Sequence, residues 1–411
     1  MIGKNSSCRL CSSKNIKKIF DFGKTPFANS FLKKEQLDQK EKSAPLRVFE
    51  CNDCHSVQLY DTVDPQILFS NYLYSSSESG SLKKYFSHYV EAIKNTVDIS
   101  EKQYVVDIGS NDGILIEEFS KNHIRCVGVE PATNLATKAN KNNLKTYNDF
   151  FNRDLALHII KDLGNKARVI CCNNCFAHID DLHSILDSVC SLLDPKGLFI
   201  FENAYLLDTI NGKYFDQVYH EHIYYHSLIP IEKLLFKYNL EIVKVEKTSN
   251  QGGTIRFYTK FINSNFKLKI NKKQEYLNIQ SIKEEEISFY SNPNRYSNLK
   301  KSIKLKKKTL QEAISEAKSK NKTISAYGCP AKFTTFTKVF GLDKNSINYV
   351  VDDSPTKQGL YSPGNHIPIV SKDYFIKNPS DYCIITAWNF SDLIINNNKQ
   401  YQGIWINPFS T

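Results

Sequence analysis

The sequence contains no long hydrophobic run and no short-period repeat. None of its apolar stretches approaches the roughly 20 residues that a helix needs to cross a bilayer, so we expect no membrane insertion. The segment from Met1 to Cys8 lacks the apolar core of a secretory signal, which predicts a cytoplasmic protein. Because disulfides are rare in the cytoplasm, the eleven cysteines are expected to be thiols or metal ligands.

The composition is that of a globular protein with a basic excess. Hydrophobic residues make up 41% of the chain and charged residues 24%, and 411 residues allow two or three domains. The net charge of +11 is largely explained by lysine clusters, of which residues 300–308 are the densest. Acidic residues lie nearby at 284–286, so we interpret the cluster as a solvated helix face. A nucleic-acid partner is therefore not expected.

Two cysteine pairs near the start of the chain have the spacing of a metal site. They are Cys8, Cys11, Cys51 and Cys54. Each C-x-x-C turn presents two sulfurs to one ion, and two turns complete the tetrahedral set that zinc prefers. Because protein fills all four positions, we predict a structural zinc site, with buried or redox thiols as the alternative. A third pair, Cys172 and Cys175, has no second pair to complete a site.

Strand and helix patterns alternate from residue 104 to the C-terminus. Strands are predicted at 104–108, 126–129, 168–172, 198–202, 252–262, 323–327, 347–351 and 382–386. A lysine-rich region, 270–320, predicts one or two helices with a break near 292–294. Such alternation is typical of parallel sheets flanked by helices, and it predicts two α/β units behind a small N-terminal domain. We expect domains at 1–70, 71–246 and 247–411.

The first central strand is followed by a glycine-rich turn, residues 107–113. Gly109 and Gly113 allow the backbone to turn tightly and approach a ligand, and Asn111 lies between them. About twenty residues on, Glu130 ends the next strand, where an acid can accept hydrogen bonds from both ribose hydroxyls. The turn and the acid together predict a nucleoside-binding site.

The turn lacks the G-x-G-x-x-G order that a dinucleotide requires. Asp107 and Asp112 flank it instead, and acids repel phosphate but suit the cationic amino-acid end of S-adenosylmethionine. We therefore predict S-adenosylmethionine as the cofactor. Asp149 and Phe150 follow the third segment, where an acid and an aromatic ring could hold adenine. Plain core packing is the alternative for Phe150.

The segment from Phe215 to His226 concentrates acid–base residues. Its twelve residues include three histidines, two acids and three tyrosines. A general base needs a pKa near the working pH, and histidine has one without tuning. The segment therefore predicts proton removal, and with the cofactor site it indicates an enzyme. We interpret His220 and His226 as structural.

Several motifs stand out together along the chain. They are the paired cysteines, the turn at 106–113, Tyr219-His220-Glu221-His222, the turn at 326–332 and the stretch 351–369. In these motifs nearly the whole chain resembles the S-adenosylmethionine-dependent C-methyltransferases of nucleotide-linked ketodeoxysugars. The resemblance implies an N-terminal zinc-binding domain, a central Rossmann-like class I methyltransferase domain and a C-terminal Rossmann-like α/β domain that helps to hold the nucleotide diphosphate.

The resemblance also implies roles for residues of the acid–base segment. His222 would be the base that removes the proton beside a ketone. Tyr219 and Glu221 would orient the sugar or polarise its ketone. An enolate also needs hydrogen-bond donors aimed at its oxygen, and Tyr74 and His178 are the candidates.

Further site residues follow strands of the two α/β units. Asn173 and Asn174 follow the fourth strand, where methyltransferases place residues beside the transferred methyl group. Lys332 follows the turn at 326–332, whose backbone amides could hold a phosphate. Lys357 would complete that pocket. Ordinary surface lysines are the alternative for both.

Two departures from the family pattern concern the substrate side. The family typically has His-Gly-Gly where this chain has Gln251-Gly252-Gly253, and often a proline where Ala204 precedes Tyr205. The sugar is therefore expected to differ from the antibiotic-pathway substrates.

We predict methylation at C3, beside a 4-ketone, with C5 as an alternative. An RNA methyltransferase and a non-catalytic sugar-nucleotide-binding protein are the other hypotheses, and the sequence leaves monomer and dimer open.

Overall fold

The computed structural model of the chain describes residues 2–70, 72–73, 75–78 and 80–409. Its larger sheets have four, seven and five strands, and a two-stranded ribbon accompanies the first. Across the described residues, no helix combines the length and apolar character needed to span a membrane.

The N-terminal part is built from short antiparallel strands. Its elements are β1 (Ile2–Lys4), β2 (Ile16–Pro26), β3 (Ser43–Cys51), β4 (Val57–Leu59), β5 (Asp61–Val63) and α1 (Pro65–Phe69). Strands β2, β3 and β4 form one sheet, and β1 pairs with β5. Inward and outward residues alternate along β3, as expected for a strand with one buried face. A sheet this small buries few apolar side chains, so a metal staple is physically reasonable.

The central part alternates strands with helices. Its elements are α2 (Gly80–Lys94), β6 (Val105–Ile108), α3 (Ile114–Lys121), β7 (Cys126–Val129), α4 (Thr133–Lys141), β8 (Thr146–Tyr147), α5 (Arg153–Leu163), β9 (Ala167–Asn173), α6 (Leu182–Leu192), β10 (Leu193–Ala204), α7 (Leu206–Asn211), β11 (Tyr224–Tyr225), α8 (Leu228–Phe236), β12 (Leu240–Thr248) and β13 (Thr254–Phe261). Strands β6, β7 and β9 are almost entirely buried, because helices cover both faces of the sheet.

The strand order of the central sheet creates a crevice. The order is β12-β13-β10-β9-β6-β7-β8, and only β13 runs antiparallel to its neighbours. The chain moves outward from β6 through β7 to β8 and then returns to place β9 on the other side of β6. Ligands of doubly wound sheets bind at such a reversal, beyond the carboxyl ends of the strands.

The C-terminal part begins with two long helices and ends in a second parallel sheet. Its elements are α9 (Lys272–Ser291), α10 (Ser297–Ser319), β14 (Ile324–Tyr327), α11 (Phe333–Phe340), β15 (Tyr349–Val351), β16 (Ile369–Val370), α12 (Lys372–Lys377), β17 (Tyr382–Ile385), α13 (Ser391–Asn396) and β18 (Ile404–Ile406). The order β16-β15-β14-β17-β18 reverses between β14 and β17. The predicted α/β architecture and the helix break near 292–294 are confirmed.

The expected boundary at 246 stays a prediction. That position falls within β12, and both β12 and β13 belong to the seven-stranded sheet. The central sheet is therefore complete only at Phe261. The sequence reading missed β12 as a strand because its side chains are mostly half-buried, without clear alternation. It also missed β11, whose two residues pair with β4 of the N-terminal sheet.

Candidate functional site

A large cavity lies where the three parts of the chain meet. Its volume is about 1310 Å³, above the roughly 300–1,000 Å³ of most ligand pockets. The predicted site residues that line it are Asp107, Gly109, Asn111, Glu130, Phe150, Asn173, Asn174, His178, Tyr219, His222, Lys332 and Lys357. The structure thus brings together residues more than two hundred positions apart. A cavity of this size has room for two ligands at once.

The glycine-rich turn and Glu130 form one side of the crevice between β6 and β9. Gly109 has a φ of +73°, and a Cβ there would lie 2.7 Å from the Cys175 sulfur, so the position requires glycine. Glu130 accepts hydrogen bonds from the amides of Asn111 and Ala132, each at 2.8 Å. Burial raises the pKa of Glu130. Its carboxylate is held in place by backbone donors while it faces the cavity.

Two buried polar side chains at this end have no hydrogen-bond partner among the residues that the structure describes. One is Asp107, and burial raises its pKa well above the usual range. Both amide atoms of Asn173 are buried without a partner. Buried polar groups are nearly always paired, so these groups fit a bound ligand that carries donors and positive charge. S-adenosylmethionine meets both conditions.

The four predicted zinc ligands converge in the N-terminal part. The Cys8 and Cys54 sulfurs lie 3.5 Å apart, and the Cys11 and Cys51 sulfurs 3.6 Å apart. All four sulfurs lie within 4.8 Å of one another. A zinc ion with four sulfurs at about 2.3 Å needs sulfur separations near 3.8 Å, so the cluster fits the ion. Protein fills every position, as a structural site requires.

His222 is held by hydrogen bonds on both ring nitrogens. Nδ1 lies 2.9 Å from the Gln217 carbonyl oxygen, which can only accept, so Nδ1 carries the proton. Nε2 lies 2.6 Å from the Tyr219 hydroxyl, which donates to it. Burial lowers the pKa of His222 to about 4. The ring is therefore neutral near pH 7, with its lone pair on Nε2.

Glu221 lies behind the cavity wall, which corrects the expectation that it touches the substrate. Its carboxylate accepts hydrogen bonds from Asn29 Nδ2 at 2.6 Å and from the Tyr72 hydroxyl at 2.8 Å. Burial raises its pKa to about 7, although both hydrogen bonds oppose that rise. Asn29 and Tyr72 line the cavity themselves, and sequence reasoning missed them. No local signal marks them, because they lie far from the acid–base segment along the chain.

The other candidates around His222 differ in position. The His178 ring centre lies 5.0 Å from that of His222, and His178 lines the cavity. Burial lowers the pKa of His178 well below its usual value. Tyr74 lies outside the described residues. His220 donates from Nε2 to the Ala44 carbonyl at 3.2 Å, away from the cavity, which agrees with its structural interpretation.

Lys332 and Lys357 line the cavity from the reversal point of the C-terminal sheet. The Lys332 ammonium donates to Asn389 Oδ1 at 2.8 Å and lies 3.6 Å from the centre of the Trp388 ring. Burial lowers its pKa to about 8. The Lys357 ammonium lies 3.3 Å from the Asp352 carboxylate. Neither is an ordinary surface lysine, since both side chains are buried.

Two acids and one glycine that the sequence predicts at the cofactor site lie outside the cavity. Asp112 pairs with Lys138 at 2.8 Å instead of facing the cofactor crevice. Gly113, with a φ of +88°, forms the start of α3 and packs against Leu144. Asp149 is exposed and accepts a hydrogen bond from the neighbouring amide, whereas Phe150 reaches the cavity. These positions shape the turn or the surface and do not line the cavity.

Three family models match successive segments of the chain. Residues 8–69 match a zinc binding domain, residues 82–245 a methyltransferase domain, and residues 249–409 a C-methyltransferase C-terminal domain. Together they cover nearly the whole chain in the order that the sequence predicts. The matches agree with the cysteine cluster and the central sheet.

Individual proteins give a consistent picture. The chain is 29% identical over 394 residues to the C-methyltransferase NovU of Streptomyces niveus, covering 96% of this chain and 92% of that protein. A structure of magnesium protoporphyrin IX methyltransferase from Synechocystis PCC 6803, with bound S-adenosylmethionine, is 15% identical, with a TM-score of 0.32. The alignment covers 44% of this chain and 78% of that one. A likeness so weak adds nothing to the family matches.

Proposed function

We propose that this chain, an S-adenosylmethionine-dependent C-methyltransferase with a structural zinc site, acts on a nucleotide-linked 4-keto-deoxysugar. The methyl group goes to a carbon beside the ketone, and we favour C3. One observation carries the proposal: the neutral His222–Tyr219 pair lines the same cavity as the unpartnered cofactor-side groups Asp107 and Asn173. A base for a carbon-bound proton and a site for the methyl donor therefore share one space.

The proposed substrate is supported by the relative and by chemistry. NovU is a C-methyltransferase, and its likeness extends over 96% of this chain. A carbon becomes a nucleophile most readily beside a carbonyl, where loss of a proton gives an enolate. In a 4-keto sugar both C3 and C5 have this property. The resemblance to the ketodeoxysugar C-methyltransferases favours C3.

His222 is the proposed base. Its neutral ring has the lone pair on Nε2 and its Nδ1 proton fixed on the Gln217 carbonyl. This orientation leaves Nε2, with the Tyr219 hydroxyl, as the polar group that meets a substrate proton. The tautomer is thus already the one that a base needs, and the Tyr219 hydroxyl has only to release Nε2 for its lone pair to take the substrate proton.

The developing enolate oxygen needs a nearby donor or positive charge. His178 lies beside His222 and, being neutral, can donate one ring N–H. Lys332 adds a buried ammonium on the same cavity wall. Tyr74 stays a candidate on sequence grounds alone. The bound cofactor supplies the electrophilic methyl group.

The cofactor is held at the β6–β9 crevice in this proposal. Glu130 accepts from the ribose hydroxyls, and Asp107 and Asn173 take the charged amino-acid end. Gly109 leaves space for the cofactor to approach the backbone closely, and Phe150 packs against the adenine ring. Asn111 and Asn174 complete the lining.

The sugar nucleotide occupies the remaining volume toward the C-terminal sheet. Lys332 lies in the turn after β14, and Lys357 lies in the loop after β15. Both line the cavity where a diphosphate would lie. Together the two lysines offset part of its negative charge.

The test is methyl transfer from methyl-labelled S-adenosylmethionine to TDP-4-keto-6-deoxysugars. We expect label on the carbon beside the ketone with the parent chain and none with His222→Ala. His158→Ala, which changes an exposed histidine outside the cavity, serves as the matched control and should retain activity. Equal turnover by His222→Ala and the parent would refute the assignment of the base, and parent activity only on RNA would refute the substrate class.

A further inference from the structure

The strand that follows one zinc-binding turn pairs directly with the residues that follow His222. The turn that contains Cys51 and Cys54 leads directly into β4, and β4 pairs antiparallel with β11. Tyr224 lies opposite Gln58, and the Leu59 amide donates to the Ile223 carbonyl at 2.7 Å. The residue next to His222 in the chain thus already bonds to a backbone ladder that begins beside the metal site.

The other zinc-binding turn reaches the same place through Arg9. Arg9 lies between the ligands Cys8 and Cys11, and its side chain is only 6% exposed. Its amide donates to Gln58 Oε1 at 3.1 Å, and its guanidinium donates to the Leu59 carbonyl at 2.5 Å. The same guanidinium donates to Asp180 at 2.6 Å, and Asp180 lines the cavity. Both zinc-binding turns therefore contact β4 or its partner segment.

Side chains of the N-terminal part also hold the segment before β11. Asn29 donates to Glu221, and His220 donates to the Ala44 carbonyl. The catalytic segment of the central part is thus attached to the N-terminal sheet on both sides of His222. The central sheet alone does not supply these contacts.

We propose that the zinc site is a positioning device for His222, acting through Arg9 and the β4–β11 ladder. The inference rests on the proposed function only for the catalytic role of His222. Loss of the metal would free two turns, and with them the strand that orders residues 223–225. A zinc site that merely stabilised its own domain would leave the catalytic segment unchanged.

Hydrogen–deuterium exchange of the full chain, with and without zinc, tests this directly. Zinc content is measured in parallel, and no sugar substrate is needed. After removal of the metal we expect amide exchange in 217–226 to rise at least tenfold, together with exchange in 8–15 and 51–56. Strand β6 should be unaffected, and S-adenosylmethionine should bind as before. Faster exchange in the two zinc-binding turns with unchanged exchange in 217–226 would overturn the proposal.

A second variant guards against general unfolding on metal loss. Arg9→Met keeps all four cysteines and removes the contacts to Leu59 and Asp180. We expect one zinc per chain, faster exchange in 217–226 and a roughly tenfold lower kcat with an unchanged KM for the cofactor. Lys14→Met is the matched control, because it removes an exposed positive charge close to the same zinc-binding turn. Unchanged exchange in Arg9→Met would also refute the proposal, whether or not a sugar substrate has been found.

Discussion

The two ends of the cavity satisfy their buried polar groups in opposite ways. At the end formed by β6 and β9, Asp107 and both amide atoms of Asn173 have no partner among the described residues. At the other end, His222 is bonded through both ring nitrogens and Glu221 through both carboxylate oxygens. Asp107 and Asn173 therefore keep hydrogen-bonding capacity for a ligand, whereas His222 and Glu221 are already bonded within the protein. Glu130, at the first end, is held by backbone amides as well.

This difference fits the roles that we propose for the two ends. A binding surface gains affinity when its polar groups find their first partners in the ligand, although the empty protein is less stable for it. A base must instead hold one tautomer and one orientation before the substrate arrives. Fixed hydrogen bonds provide that, whereas burial shifts the pKa values of His222 and Glu221.

The largest expected effect is at the fully bonded end. His222→Asn keeps an amide donor but removes the Nε2 lone pair. We expect kcat to fall by about a thousandfold, within the usual range for loss of a general base, while S-adenosylmethionine binds normally. Steady-state kinetics and calorimetric titration measure the two quantities. An equal loss of cofactor affinity would mean that the two ends do not act separately.

The next effect is at the unpartnered end. Asp107→Asn should weaken S-adenosylmethionine binding by about a hundredfold, equivalent to roughly 2.7 kcal/mol, because a carboxylate facing a cation is lost. The ligand-free chain should become more stable, since an unpaired buried carboxyl is removed. Calorimetric titration and thermal unfolding test both parts.

The matched control for this variant is Asp154→Asn, which changes an exposed aspartate on α5. It should alter neither cofactor affinity nor stability. If Asp107→Asn lowered the stability of the ligand-free chain, then Asp107 would have a stabilising partner, and the contrast between the two ends would fail.

The sequence predicted the unpartnered end better than the bonded one. Asp107 lies near the end of one strand of a regular α/β pattern, and Gly109 and Glu130 directly follow strands, so their place at the crevice follows from topology. The cysteine spacing likewise predicted a zinc cluster. Each signal consists of two short local patterns whose spacing is visible in the sequence.

The bonded end depends on contacts that no local pattern contains. Asn29 and Tyr72 reach Glu221 across 192 and 149 residues. The pairing of β4 with β11 is equally distant, and β11 has only two residues. Periodicity cannot reveal a strand this short, and pairing partners depend on how the three parts pack. For that reason Glu221 was expected in the cavity rather than behind its wall.

A smaller effect is the pH dependence of stability contributed by Glu221. Burial raises its pKa to about 7, above the roughly 4.3 of an unfolded chain. The folded state therefore binds the proton more tightly, and this stabilisation is complete below about pH 4 and is lost as the pH rises through 7. Between pH 5 and pH 8, the free energy of unfolding of the parent chain should fall by about 2 kcal/mol more than that of Glu221→Gln. Urea unfolding at the two pH values measures this difference. Identical pH profiles would show that Asn29 and Tyr72 keep Glu221 ionised throughout.

The smallest effect compares two buried lysines that follow strands of the C-terminal sheet. The Lys332 ammonium donates to Asn389 and feels the buried Asp216 from beyond ion-pair distance, whereas the Lys357 ammonium lies 3.3 Å from the Asp352 carboxylate. Lys332→Met should therefore raise the KM for the sugar nucleotide about tenfold, or 1.4 kcal/mol, with little change in cofactor affinity. Lys357→Met should raise it less and should lower thermal stability, because Asp352 would keep a buried charge without its partner. Equal KM values for the two variants would mean that pairing within the protein does not decide which lysine meets the diphosphate.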